Sequence, residues 1–79
     1  MKVQVLFFGA TAGEVNEREI KIQFAQETTA KQAFDKIVEK FPRLKNHSLL
    51  FAVNQEYLIG DEVLHDGDEL AIFTAVSGG

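Results

Sequence analysis

Seventy-nine residues with 46% apolar content make a single domain, because so short a chain has no apolar surface left for a second core. The absence of cysteine excludes disulfides and thiolate metal sites, and one proline with 25% charged residues excludes a disordered composition, so stability rests on packing. A net charge of −4 argues against nucleic acid, where affinity comes from cations neutralising phosphates, and no apolar run approaches the roughly 20 residues that cross a bilayer.

The opening Lys2-Val-Gln-Val-Leu-Phe-Phe8 alternates Val3, Val5 and Phe7 on one side with Gln4, Leu6 and Phe8 on the other, which predicts a strand that is largely apolar on both faces. Such a strand belongs in the middle of a sheet, covered on both sides or facing a partner. Its Met1-Lys-Val-Gln-Val5 start lacks the basic region, apolar run and cleavage site of a signal peptide, so a cytoplasmic location is expected. Gly9 and Gly13 mark a loop through Asn16. From Glu17 the pattern alternates cleanly, with Ile20, Ile22 and Phe24 to one side and Glu19, Lys21 and Gln23 to the other: a half-buried strand, antiparallel to the first.

The period then changes. Ala30, Ala33, Phe34, Ile37, Val38 and Phe41 fall on one helical stripe, with Thr28 as the expected N-cap, Lys36 and Lys40 near the negative end of the dipole, and Pro42 as the stop. A turn over Arg43 to Ser48 leads to a strand over Leu49-Leu-Phe-Ala-Val-Asn54, a short strand near Tyr57 to Ile59, and a turn at Asp66-Gly67-Asp68. The last strand starts at Glu69. Leu70, Ile72, Thr74 and Val76 share one face, and Glu69, Ala71, Phe73 and Ala75 the other. Two strands, a helix and two or three more strands, with one face covered, predict an α+β domain of β-grasp form whose first and last strands pair in the centre. The uncovered face then carries Leu6, Phe8, Tyr57 and Phe73, a group apolar enough to serve as a partner interface. The same phenylalanines also suit a core.

Charge is unevenly placed. Eight basic and six acidic residues stand at or before Lys45, a balance of +2, while the remainder holds six acidic residues and no lysine or arginine, a balance of −6. That C-terminal surface is either solvated or steers docking onto a basic partner. His47 and His65 are isolated and read as structural, and Asp66-Gly67-Asp68 lacks the spaced ligands of a calcium loop, so no metal site is expected. No Ser/His/acid set or phosphate-cradling glycine loop is present, and any activation chemistry must reside in a partner.

The last residues, Val76-Ser77-Gly78-Gly79, follow a strand directly and read as a thin, flexible Gly-Gly tail, with residues 1–75 as the globular part of a single 1–79 domain. From Ala75 such a tail reaches roughly 17 Å when extended, and its carboxylate is a nucleophile suited to attack on an ATP α-phosphate. A frayed end is the plainer reading of a Gly-Gly terminus.

Four segments together carry a resemblance: Val5-Leu-Phe-Phe8, Ala52-Val-Asn-Gln55, Asp66-Gly-Asp-Glu-Leu-Ala-Ile-Phe73 and Val76-Ser-Gly-Gly79. From Val3 to Gly79 the chain resembles the MoaD/ThiS-type sulfur carriers, which have a ubiquitin-like β-grasp fold with a mixed sheet and one main helix packed on one face. In its Gly9 to Asn16 stretch it departs from the Arg-Glu pair of many relatives. The resemblance implies that Gly79 is the catalytic residue, its carboxylate adenylated by an E1-like enzyme using ATP and then thiocarboxylated by a sulfur donor such as a cysteine desulfurase system. It also implies a large molybdopterin synthase subunit as partner, most often in a heterotetramer, sulfur transfer to cyclic pyranopterin monophosphate in molybdenum cofactor biosynthesis, no stably bound cofactor and no activity alone. Related carriers that serve thiazole (thiamine) synthesis, ubiquitin-like protein modifiers and plain binding modules are the alternatives.

Overall fold

The computed structural model describes residues 1–56 and 60–75. Alternation in the sequence carries directly into four strands, β1 (Lys2–Phe7), β2 (Glu19–Gln23), β3 (Leu49–Val53) and β4 (Glu69–Thr74), in one sheet of order β2-β1-β4-β3. β1 runs parallel to β4, whereas the β1–β2 and β3–β4 pairs are antiparallel, so the first and last strands form the centre of a mixed sheet. The register pairs Val3 with Ile22, Val5 with Ile20 and Leu70, and Ile72 with Phe7 and Phe51. Because side chains alternate, these residues share one face. Val3, Val5, Leu70 and Ile72 on it are completely buried.

Helix α2 (Ala30–Lys40) covers that face with the predicted stripe: Ala30, Ala33 and Ile37 are fully buried, and Phe34, Val38 and Phe41 pack around them. Burying a side chain such as Ile37 contributes about 1.5 to 3 kcal/mol. Phe34 stacks on Phe51 at 4.9 Å between ring centroids, and Phe41 meets Phe7 edge-on at 5.9 Å. The N-cap is Thr29, not Thr28. Its hydroxyl accepts from the Gln32 N–H at 3.2 Å while the Gln32 side-chain oxygen accepts from the Thr29 N–H at 3.0 Å, a reciprocal box for which only Thr29 has the partner three residues on. Thr28 instead donates its hydroxyl to the Ala25 carbonyl at 2.7 Å. The segment after Gly60 is laced to this helix start, with the Ala30 and Lys31 N–H groups bonded to the Glu62 and Gly60 carbonyls and Leu64 N–H to Thr28.

Two segments read as loop or turn hold helical turns. Ala10–Val15 forms a short helix, α1, because Thr11 is fully buried, its hydroxyl donating to the Phe8 carbonyl at 2.6 Å with the Ile72 carbonyl 3.0 Å away. Asn16 closes it with φ of 64°, a left-handed conformation that asparagine tolerates. Pro42–Asn46 forms a 3₁₀ turn plugged by the fully buried Leu44. The Asp66-Gly67-Asp68 turn is present as read, Gly67 at φ of 88° and Asp66 accepting from the Lys2 N–H at 2.7 Å. The short strand expected near Tyr57 to Ile59 lies outside the described residues.

Candidate functional site

The sheet face away from α2 is built by the other parity of each strand. Register places Leu6 beside Ala71, Ala71 beside Ala52, and Phe73 beside Leu50. Just beyond β1, Phe8 is joined to β4 by its N–H bonded to the Ile72 carbonyl at 3.0 Å. The result is a strip in which Phe8 and Leu50 are 50% and 42% exposed, Leu6, Ala71 and Phe73 are half-buried, and Ala52 is buried. A polar rim borders it, where Gln4 pairs with Glu69 and its side-chain amide bonds the Glu19 carboxylate. A cleft lined by Leu6, Phe8, Gly9, Ala12 and Arg18 continues the strip past the end of β1. An exposed apolar strip with a polar border has the anatomy of a protein interface.

Of the residues expected at this interface, the structure brings Leu6, Phe8 and Phe73 together and adds Leu50 and Ala71. Tyr57 lies outside the described residues, as do Val76, Ser77, Gly78 and Gly79. Leu50 escaped the sequence reading because only the β3–β4 register sets it against Phe73; its parity with Ala52 in the Leu49–Val53 run was the available signal. The position of the tail's base is fixed: Ala75 N–H bonds the Ser48 carbonyl at 2.8 Å, directly after β4 and at the same sheet end as Phe8 and the 3₁₀ turn.

The two histidines each stand near a carboxylate. His47 Nε2 stands 3.9 Å from Glu14 Oε1, tying the 3₁₀ turn to α1, and the mostly exposed His65 has its Nδ1 3.8 Å from Asp68. Among the described residues no cluster of His, Cys, Asp or Glu could hold a metal, and no helix is long and apolar enough to cross a membrane. Every buried side-chain nitrogen and oxygen described has a hydrogen-bond partner. Asp66, Asp68 and Glu69 gather where β1 and β4 begin, at the opposite end of the sheet from Ala75.

Comparison with known proteins places this geometry. Residues 5–79 match the ThiS family. The molybdopterin synthase sulfur carrier subunit of Homo sapiens is 37% identical over 83 residues, covering 99% of this chain and 94% of that protein. Among solved structures, small archaeal modifier protein 1 from Haloferax volcanii superposes with a TM-score of 0.86 at 25% identity, with both chains fully covered. A chain in the complex of subunits 1 and 2 of the molybdopterin-converting factor from Helicobacter pylori superposes with a TM-score of 0.72 at 26% identity, again with both chains fully covered. The fold is the ubiquitin-like β-grasp, and the chain belongs to the ThiS family of sulfur carriers.

Proposed function

We propose that this chain is the sulfur carrier subunit of molybdopterin synthase, working through a C-terminal thiocarboxylate on Gly79. The Gly79 carboxylate attacks the α-phosphate of ATP in the site of an E1-like adenylating enzyme, releasing pyrophosphate and forming a mixed anhydride. The outer sulfur of a donor persulfide, such as that of a cysteine desulfurase system, then displaces AMP to give an acyl disulfide, and a second donor thiol cleaves it, releasing the Gly79 thiocarboxylate and leaving a disulfide on the donor. The tail, Val76 to Gly79, delivers that sulfur in the large synthase subunit to cyclic pyranopterin monophosphate, and the carboxylate is regenerated. Residues 1–75 serve as the globular base, the assembly with the large subunit is a heterotetramer, and the need for ATP puts the chemistry in the cytoplasm. The carrier itself holds no stable cofactor.

The observation that carries this reading is the juxtaposition on the central strand pair: β4 contributes Ala71 and Phe73 to the apolar strip and runs on, through Ala75, into the last four residues. A partner seated on Leu6, Phe8, Leu50 and Phe73 thereby has Ala75, from which the last four residues follow, close to its edge. Similarity to sulfur carrier subunits over nearly the whole chain, and to a chain of a two-subunit converting-factor complex, supports the same reading.

Intact mass spectrometry after incubation with host extract, ATP and a sulfur source tests it, with the Gly79 deletion as control. A mass gain equal to replacing one oxygen by sulfur, absent from the deletion, is the expected result. No gain in the presence of a working adenylating enzyme refutes it. Likeness to a small archaeal modifier favours one second reading, a protein modifier joined through Gly79 to lysines. That reading requires conjugates that survive denaturing gels. A thiazole (thiamine) carrier would gain the same sulfur mass yet leave molybdopterin synthesis unaffected when deleted.

A further inference from the structure

We propose that Lys40, Arg43 and Lys45 form a docking surface for an acidic face of the adenylating partner, beside the point where the tail leaves the sheet; this rests on the carrier reading above. α2 ends at Lys40, the 3₁₀ turn carries Arg43 and Lys45, and Ser48 two residues past that turn accepts the Ala75 N–H. The helix end, the turn and the tail's base therefore occupy one end of the molecule. Leu44, completely buried between the two cations, anchors the turn, so Arg43 and Lys45 sit exposed on a fixed base. Lys40 lies with its ammonium 5.9 Å from the Phe41 ring centroid. Among the described residues none of the three takes part in an ion pair, and neither does Lys36 one turn back on α2. The acidic groups on this side are Glu39 on the same helix, Glu14, which faces His47, and Glu17 and Glu19 around the start of β2, the sheet edge away from β3.

Asp66, Asp68, Glu69 and Glu56 stand at the other pole. Asp66 is bonded to the Lys2 N–H, Asp68 to the His65 N–H and the Asn54 amide, Glu69 is in register with Gln4, and Glu56 bonds Val53. A strand of six residues spans roughly 20 Å, about twice the Debye length at physiological ionic strength. A partner seated against the 3₁₀ turn therefore meets the patch of Lys40, Arg43 and Lys45 ahead of those distant acids, although the net charge is −4. A long polyanion, which extends past one pole, also meets the acidic one, and this favours a protein surface over nucleic acid. Among tail-receiving proteins the adenylating enzyme has the stronger need. There an anionic carboxylate must approach the anionic phosphates of ATP, and cations flanking the tail orient the carrier tail-first against that repulsion.

The test is the adenylation of full-length chain by the purified host E1-like adenylating enzyme with ATP, followed by pyrophosphate release. R43E/K45E is expected to lose about tenfold in kcat/KM at low ionic strength through KM, with kcat unchanged, and the deficit should shrink to within about twofold near 0.5 M salt. R43Q/K45Q should fall between, and it carries the test if charge reversal disturbs folding. Affinity for the large subunit should change less than twofold. Equal kcat/KM at low salt, a deficit that salt does not relieve, or an equal loss toward the large subunit each overturns the proposal. Failure of the unmodified chain to be adenylated would instead refute the carrier reading itself.

Discussion

Phe8→Ala separates an interface residue from a core one. A phenylalanine side chain presents about 200 Å², and Phe8 is 50% exposed, leaving about 100 Å² for a partner to cover. At about 25 cal/mol per Å² that area contributes at most about 2.5 kcal/mol, and the methyl group kept by alanine lowers the expected loss to about 1.5 to 2.5 kcal/mol. This corresponds to about a 10- to 70-fold rise in Kd for the large synthase subunit. The half already buried on the carrier contributes a similar upper figure to folding, reduced because denatured chains are themselves partly collapsed, so the variant stays folded at assay temperature with a lowered Tm. Isothermal titration calorimetry against the large subunit reads the first effect, and a circular dichroism melt the second. Phe8→Leu, which keeps most of the apolar area, should bind within a few-fold of the unmodified chain. A Kd within twofold for a folded Phe8→Ala refutes the assignment of the strip, whatever the behaviour of the tail.

The other expectations concern the frame that holds the strip and the tail. Thr11→Val keeps the shape but deprives the Phe8 and Ile72 carbonyls of their buried hydroxyl, at a cost of about 1 to 2 kcal/mol, and a thermal melt should show a drop of roughly 5 to 15 °C. Asn54 adopts φ of 50°, its side-chain oxygen accepts from the Glu69 N–H at 3.0 Å, and its amide donates to Asp68 at 3.0 Å. Asn54→Ala should therefore cost about 1 to 2 kcal/mol, and Asn54→Gly, which accepts the left-handed backbone, less; equal losses would mean that the conformation contributes nothing. Deleting Gly79 should abolish the sulfur mass gain and leave the melting temperature within 1 to 2 °C, roughly the scatter expected of a surface change.

The parts of the fold written in local periodicity were legible. Val3, Val5 and Phe7 alternate, the α2 stripe repeats every three or four residues, and both patterns survive as the buried face and the helix that covers it. What escaped was what distant residues decide. α1 offers only a Thr11 to Val15 pair to a periodicity search, and it is held by a contact to Ile72, 61 positions away. Two adjacent threonines look equally good as caps until Gln32 is counted as the third residue from Thr29. Leu50 joins the strip only through strand register. Strand pairing also redistributes the charge that a division at Lys45 separates: Asp66, Asp68 and Glu69 lie where β1 and β4 begin, whereas Lys40, Arg43 and Lys45 lie toward the end where β4 reaches Ala75.

The parallel pairing of the first and last strands reconciles two demands that a carrier makes on so small a chain. A tail that enters another protein's site needs a base that does not yield when the tail is engaged, while the tail itself must be slim. β4 supplies that base. It is hydrogen-bonded on both edges, to β1 and β3, and its Leu70 and Ile72 are among the completely buried residues. Local opening is infrequent where backbone bonds and apolar burial coincide, as they do along β4 and its neighbour β1, so the force of docking falls on a well-protected part of the fold. Because strand side chains alternate, the same strand turns Ala71 and Phe73 to the open face, so in the proposed carrier role the partner-facing strip and the tail share one origin. An edge strand would give the tail a base bonded on one side only, and a helix would separate the terminal residues from the apolar strip. Placing the last strand in the centre of the sheet avoids both, and the crossover through α2 that this topology requires also supplies the cover for the buried face.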